Sequence, residues 1–279
     1  MIIKSDFHIH TEASYDATLT LSEIYEGARS FGFEAIGITD HLNLNDKSFM
    51  QDIRLSAKNV REFNGDKPKV ILGVELTPIA MPEFEYISIH GSGEGYVAPV
   101  CDTPYGIELA ATKEELMALG IRYAVGASHW RVDIPEGKLI SSDLNECIKE
   151  WYRQQMWLAC DERVTILGHP WYHGEGIWYK DFSVIPKSMN ADIAAALKEN
   201  GKYAECNAQF FKSKYSTEKF RYQYAEFLRE MFEMGIPITY GSDAHSVYPP
   251  EHLIAEKYLE AAGFKAGDFS TLNENNLWH

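Results

Sequence analysis

With 279 residues, the chain is long enough to bury a large core, as one barrel-sized domain or two small ones, and its 45% hydrophobic and 24% charged residues are ordinary for a globular chain. A formal net charge of −15 disfavours loose binding to long nucleic acid or anionic lipid; bound cations could still reverse the sign locally for a phosphorylated small molecule. No apolar run approaches the roughly 20 residues of a membrane helix, and the N-terminus MIIKSDFHIH has no basic-then-apolar signal pattern, so a cytoplasmic chain with no membrane partner is expected.

In chain order, a short apolar strand, a polar turn and an amphipathic stretch recur. The expected strands are Ile2–Ile9, Glu34–Thr39, Lys69–Leu76, Tyr86–Ile89, Tyr123–Ala127, Val164–Leu167, Tyr203–Cys206 and Ile236–Tyr240. Helices are expected over Leu21–Phe31, Lys47–Phe63, Ser141–Asp161, Met189–Asn200 and Thr217–Met234. Gly32, Gly120, Gly201 and Gly235 each follow a helical run just before a strand, as C-terminal caps do. Such alternation implies parallel strands joined by right-handed crossovers. About seven units suit a closed or nearly closed (β/α)7, TIM-like barrel better than an open sheet. Nothing forces a domain boundary, so residues 1–279 are expected to form a single domain, with an excursion at about 78–112 that contains Tyr86–Ile89. Cys101, Cys147, Cys160 and Cys206 lack CxxC spacing, which argues against a zinc knuckle or a disulfide framework.

In barrels of this kind the reactive side chains sit where strands end. The first expected strand ends Asp6-Phe7-His8-Ile9-His10, and two histidines two apart on a strand share a face and can meet one metal. Taken alone, that pair is a weak signal against ordinary surface or structural histidines. Asp16 follows in the loop, where a lone aspartate is usually a turn or cap residue. The later strands end in Thr39-Asp40-His41, Gly73-Val74-Glu75, Ser128-His129, Gly168-His169-Pro170 and Ser242-Asp243-Ala244-His245. Six of the ten histidines thus fall at strand ends, together with Glu75 and Asp243. Packing alone does not explain that coincidence. Histidine with carboxylate and no thiolate suits Zn, Mn or Fe.

The strings DFHIHT, GITDH, GVE, SHW, LGHP and GSDAH, in that order from Asp6 to His245, resemble the polymerase and histidinol phosphatase (PHP) family. The resemblance implies a distorted seven-stranded β/α barrel and a site of two to three divalent metal ions that hydrolyses phosphate esters. It implies one metal on His8, His10, Glu75 and Asp243, a second on Glu75, His129 and His169, and a third on Asp16, His41 and His245. Three divalent ions less three carboxylates leave about +3, which a phosphate dianion and a hydroxide balance. A hydroxide bridging two metals about 3.5–4 Å apart is then the expected nucleophile. Glu75, Asp243 and His245 are the catalytic candidates. Lys212 follows the sixth strand, where the histidinol-phosphatase branch carries an arginine near the phosphate, and Arg131 follows His129. Both are substrate-binding candidates; the bland alternative is a solvated loop cation.

Glu83, Glu85, Trp130 and Trp171 are candidates for an acidic, aromatic mouth, and His90 and His173 fall outside the ligand set. The fifth-strand motif reads His169-Pro170-Trp171, whereas histidinol phosphatases more often read HLD. A small phosphate monoester is the expected substrate, with histidinol phosphate the best-known case. The alternatives are a phosphodiesterase or nuclease acting on nucleotides or nucleic-acid ends, and a non-catalytic metal-stabilised scaffold.

Overall fold

A computed structural model describes residues 2–43, 47–80, 107–129, 144–171, 180–248 and 252–279. It has a mixed α/β fold whose main strands run parallel. Strand β1 (Ser5–Ile9) is buried along its whole length and pairs with β2 (Ala35–Ile38), which pairs with β4 (Lys69–Leu72). Strand β3 (His41–Leu42) pairs with β5 (Val74–Leu76), and the parallel order continues through β8 (Ala124–Ala127), β9 (Ile166–Gly168), β10 (Tyr203–Asn207) and β11 (Ile238–Gly241). Beyond β11 the chain returns to β1. The amide of Asp243 donates to His8 O at 2.8 Å, that of His10 to Ala244 O at 3.0 Å, and Ile9 and Ala244 form a parallel bridge.

Two expected strands are each split. Glu34–Thr39 runs on, after a break at Thr39-Asp40, into β3, and Lys69–Leu76 is interrupted at Gly73. The first break has a polar cause. Thr39 Oγ1 accepts from Ile9 N at 3.1 Å, while the Asp40 carboxylate accepts from Thr11 N, Thr11 Oγ1 and Ser14 Oγ at 2.7–2.8 Å. At Gly73 a Cβ would lie 2.5 Å from the Tyr123 ring, so a larger residue has no room.

Helices α1 (Leu21–Ser30), α2 (Lys47–Glu62), α4 (Leu144–Cys160), α5 (Lys187–Glu199) and α7 (Glu218–Glu233) match the expected ones to within a few residues. Thr20 begins α1 through a capping box with Glu23, and the four glycines expected as caps all take positive φ. Among the described residues, three helices were not expected. They are α3 (Lys113–Ala118), opened by a Thr112–Glu115 capping box, the single turn α6 (Gln209–Lys212), and α8 (His252–Ala261). An antiparallel pair, β6 (Ile79–Ala80) and β7 (Ile107–Glu108), closes the base of the excursion; Tyr86–Ile89 lies outside the described residues.

Among the described residues, the buried apolar side chains form two clusters. The smaller gathers strand residues Phe7, Ala35, Ile71, Tyr123, Val125 and Ile166 with Leu272 and Leu277 of the C-terminal segment. The larger joins the helices to the outer strand faces. Among the described residues no helix is long and apolar enough to cross a membrane, and Cys147, Cys160 and Cys206 are free thiols.

Candidate metal centre

The eight residues singled out at strand ends, and Asp16 from the loop after the first, converge on one place. Among the described residues, three groups offer ligand atoms that lie within 4.8 Å of one another: His8, His10 and Asp243; Glu75, His129 and His169; and His10, His41 and His245. Asp16 joins the last group, its Oδ2 standing 3.3 Å from His41 Nε2 and 3.6 Å from His245 Nε2. Glu75 is the hub. Its carboxylate lies 2.7–3.5 Å from a ring nitrogen of each of His8, His10, His41, His129 and His169.

Neighbouring groups orient the rings. His8 Nδ1 donates to Glu205 Oε1 at 2.7 Å, which in the neutral ring leaves the lone pair on Nε2, the nitrogen that faces Glu75. Thr77 gives its hydroxyl hydrogen to Asn43 at 2.7 Å and accepts from His129 Nδ1 at 2.8 Å, with the same consequence for His129 Nε2. His245 Nδ1 donates to Asp243 O at 2.9 Å. Two candidate ligands also hold strained backbone: His169 at φ 24° and Asp243 at φ 52°.

The electrostatics are those of a site built for cations. Burial opposes ionisation of Glu75, yet the surrounding histidines hold its carboxyl well below the usual range, and Asp243 is lowered in the same way. Burial pulls His8 down, but the charges of Glu205, Glu75 and Asp243 outweigh it and raise it well above its ordinary value. His41 is raised to about 10 because Glu75 and Asp16 outweigh its burial, while burial first, then neighbouring histidines, lower His10 and His129 to about 3. Packed histidines are thus driven in opposite directions, the behaviour of like groups competing for a few protons. Buried His8 Nε2 and His10 Nδ1 make no hydrogen bond, and His41 Nε2 faces His245 Nε2 at 3.4 Å. Nitrogens set this way, among carboxylates and without thiolate, fit divalent metal ions of the zinc type.

The residues expected around the site fare unequally. Lys212 ends α6, half-buried, one turn beyond Gln209, whose amide donates to Asp243 O at 2.7 Å. Arg131, Glu83, Glu85, Trp130, His90 and His173 lie outside the described residues. Trp171 does not line a mouth. It is wholly buried, with its backbone N–H donating to Gln155 and Nε1 to Asn190; an indole with its one donor satisfied inside packs as core. The sequence reading missed Glu205, Asp6 and Asp40. Asp6 accepts from His8 N and Ser242 N, and burial raises it to about 7. A carboxylate on an otherwise apolar strand, as in Tyr203-Ala-Glu205-Cys-Asn207, was the available signal.

The PHP domain family profile matches residues 6–209, and the chain belongs to that family. An uncharacterized protein of Methanocaldococcus jannaschii is 23% identical over 278 residues, covering 99% of this chain and 96% of that one. Among solved structures, histidinol phosphate phosphatase of Lactococcus lactis, complexed with zinc, L-histidinol and phosphate, superposes with a TM-score of 0.62. The two are 17% identical, and the match covers 94% of each chain, a likeness of fold.

Proposed function

We propose that this chain is a metal-dependent phosphoesterase that hydrolyses small phosphate monoesters at two or three divalent ions, at one end of a seven-stranded β/α barrel. The observation that carries the reading is the convergence of six histidines, Glu75 and Asp243 into three ligand groups, with Asp16 beside the third. The barrel reading is supported by the hydrogen bonds that tie the segment after β11 back to β1. The zinc-containing phosphatase of similar fold makes zinc the first metal to test.

His8, His10, Glu75 and Asp243 would hold one ion, Glu75, His129 and His169 a second, and Asp16, His41 and His245 a third. Bound there, such ions supply Lewis acidity toward phosphoryl oxygens and lower the pKa of water. The chain itself supplies orientation. Side chains of His8, His10, Glu75 and His169 are at most 1% exposed, whereas those of Asp16, His129 and His245 are 26–35% exposed. The ester therefore enters over the second trio, and the buried set excludes water from the far side. Glu75 keeps the ligand groups in register, Asp243 fixes His245 through its carbonyl, and Lys212 and Arg131 are assigned to the phosphate.

The test is metal content of the purified protein, with kcat/KM for histidinol phosphate, phosphotyrosine, a nucleoside monophosphate and a simple diester under matched metal. Two to three equivalents of Zn, Mn or Fe and a preference for monoesters are expected. A diester preferred tenfold, about 1.4 kcal/mol at the transition state, would move the assignment to a phosphodiesterase. Metal uptake with no turnover of any ester would leave a scaffold.

A further inference from the structure

Glu205 lies behind the ligand cluster, on β10 and 1% exposed. Its Oε1 accepts from His8 Nδ1 at 2.7 Å. Its Oε2 accepts from the backbone N–H of His169 at 2.5 Å and from Asn207 Nδ2 at 3.2 Å, and the same Asn207 amide reaches Asp243 Oδ2 at 3.3 Å. One carboxylate therefore touches His8 in the first ligand group and His169 in the second, and reaches Asp243 through Asn207. The third group shares His10 with the first but does not touch Glu205, and it has supports of its own. His41 N donates to Ser14 Oγ, Ser14 Oγ donates to Asp40, and His245 is tied to the Asp243 carbonyl.

We infer that Glu205 is a positioning residue that couples two of the three ligand groups, so that those two metals are gained and lost together. This rests on the metal-centre reading above. The chemistry lies in the acceptor-only character of a carboxylate facing three donors. Accepting from His8 Nδ1 fixes the tautomer that leaves Nε2 free to ligate, and accepting from the His169 amide holds that residue at its positive φ with Nε2 3.2 Å from Glu75. An amide of the same shape cannot do both. Turned toward His8, its NH2 forces the proton onto Nε2, where a ligand lone pair is needed. Turned toward His169, it sets donor against donor.

The experiment follows zinc retained by the wild-type holoprotein and by Glu205→Gln as a competing chelator is raised, with the His8 tautomer read by long-range proton–nitrogen NMR on the metal-free proteins at a pH high enough to leave the ring neutral. Wild type should release two equivalents in one step and a third separately. In Glu205→Gln the paired step should move to chelator concentrations about ten- to a hundredfold lower, with the third equivalent moved less. NMR should show either the His8 proton shifted to Nε2 or a perturbed His169 amide. Glu205→Asp, shorter but still acceptor-only, should retain more of the pair's affinity than Gln. Three independent release steps in wild type would overturn the coupling even if the variant failed to fold. So would a Glu205→Gln protein whose three equivalents shift alike or not at all. A wild-type protein that takes up no transition metal would instead sink the metal-centre reading itself.

Discussion

Gly241→Ala probes the packing that holds the back of the site. Gly241 ends β11 and is not among the glycines at positive φ, so its backbone accepts alanine. The obstacle is space. A Cβ there would overlap Glu205 Oε1 and stand 2.6 Å from His8 Cβ and 2.8 Å from Glu205 Cδ. Both neighbours are buried and fixed, so neither yields cheaply. Inserting a methyl into such packing costs about 1–3 kcal/mol, and a displaced Glu205 gives up a charge-assisted hydrogen bond worth about 1.5–3 kcal/mol. Replacing a strand glycine with alanine returns about 0.5–1 kcal/mol. The net loss is about 2–5 kcal/mol, which for a chain of this size lowers Tm by about 4–20 °C. Gly120→Ala is the control: at φ +91° with nothing within 4 Å of its Cβ, it carries only backbone strain, about 1–2 kcal/mol. Calorimetry of the metal-free proteins, followed by zinc uptake, reads both. Gly241→Ala should also bind zinc more weakly than Gly120→Ala. If it melts within 2 °C of the parent and takes up zinc normally, the described contact of Gly241 with Glu205 and His8 is wrong.

Three further outcomes are expected. Stripping the metal should lower Tm by at least about 10 °C, since each site saturated a hundredfold above its Kd contributes about 2.7 kcal/mol; an unchanged Tm after complete removal would contradict the cluster's need for cations. Lys212→Ala should raise KM for monoesters severalfold with zinc content unaltered, and unchanged kinetics would return Lys212 to the solvent. Lys202 Nζ donates to the carbonyls of Leu158 and Asp161, and burial lowers its pKa to about 8 against an ordinary 10.5. The folded protein thus holds that proton less tightly than the unfolded chain, so the cost is full below pH 8 and is relieved as pH climbs toward 10.5. The stability of wild type relative to Lys202→Met should rise across that window in denaturant titrations, and a flat or falling difference refutes the assignment.

How much was legible in the sequence depended on whether a residue announced itself by pattern. The HxH and DxH pairs and the parallel alternation of strand and helix are periodic signals, and the structure brings those residues together. Breaks inside strands were not legible, because the break at Thr39-Asp40 is made by hydrogen bonds to Ile9, Thr11 and Ser14, about 26–30 positions earlier in the chain. Glu205 was passed over for the same reason: its partners His8 and His169 are 197 and 36 positions away. Trp171 was misassigned because adjacency to His169 in sequence says nothing of direction. Its φ of 66° turns the chain there, and its indole nitrogen reaches Asn190 on α5.

These misses and matches divide the centre by depth. Residues read from motifs offer the candidate ligand atoms; contacts visible only in three dimensions set which nitrogen three of the histidines offer. Glu205 decides it for His8, Thr77 for His129, and the Asp243 carbonyl for His245. A carboxylate, a hydroxyl and a main-chain oxygen do one task, so no single sequence signature could mark it. Exposure adds a direction to that division. Because Asp16, His129 and His245 lie on the open side and His8, His10 and His169 on the closed side, substitutions near the first trio should alter which ester is accepted. Substitutions behind the second trio, at Glu205 or Gly241, should alter whether metal is held at all.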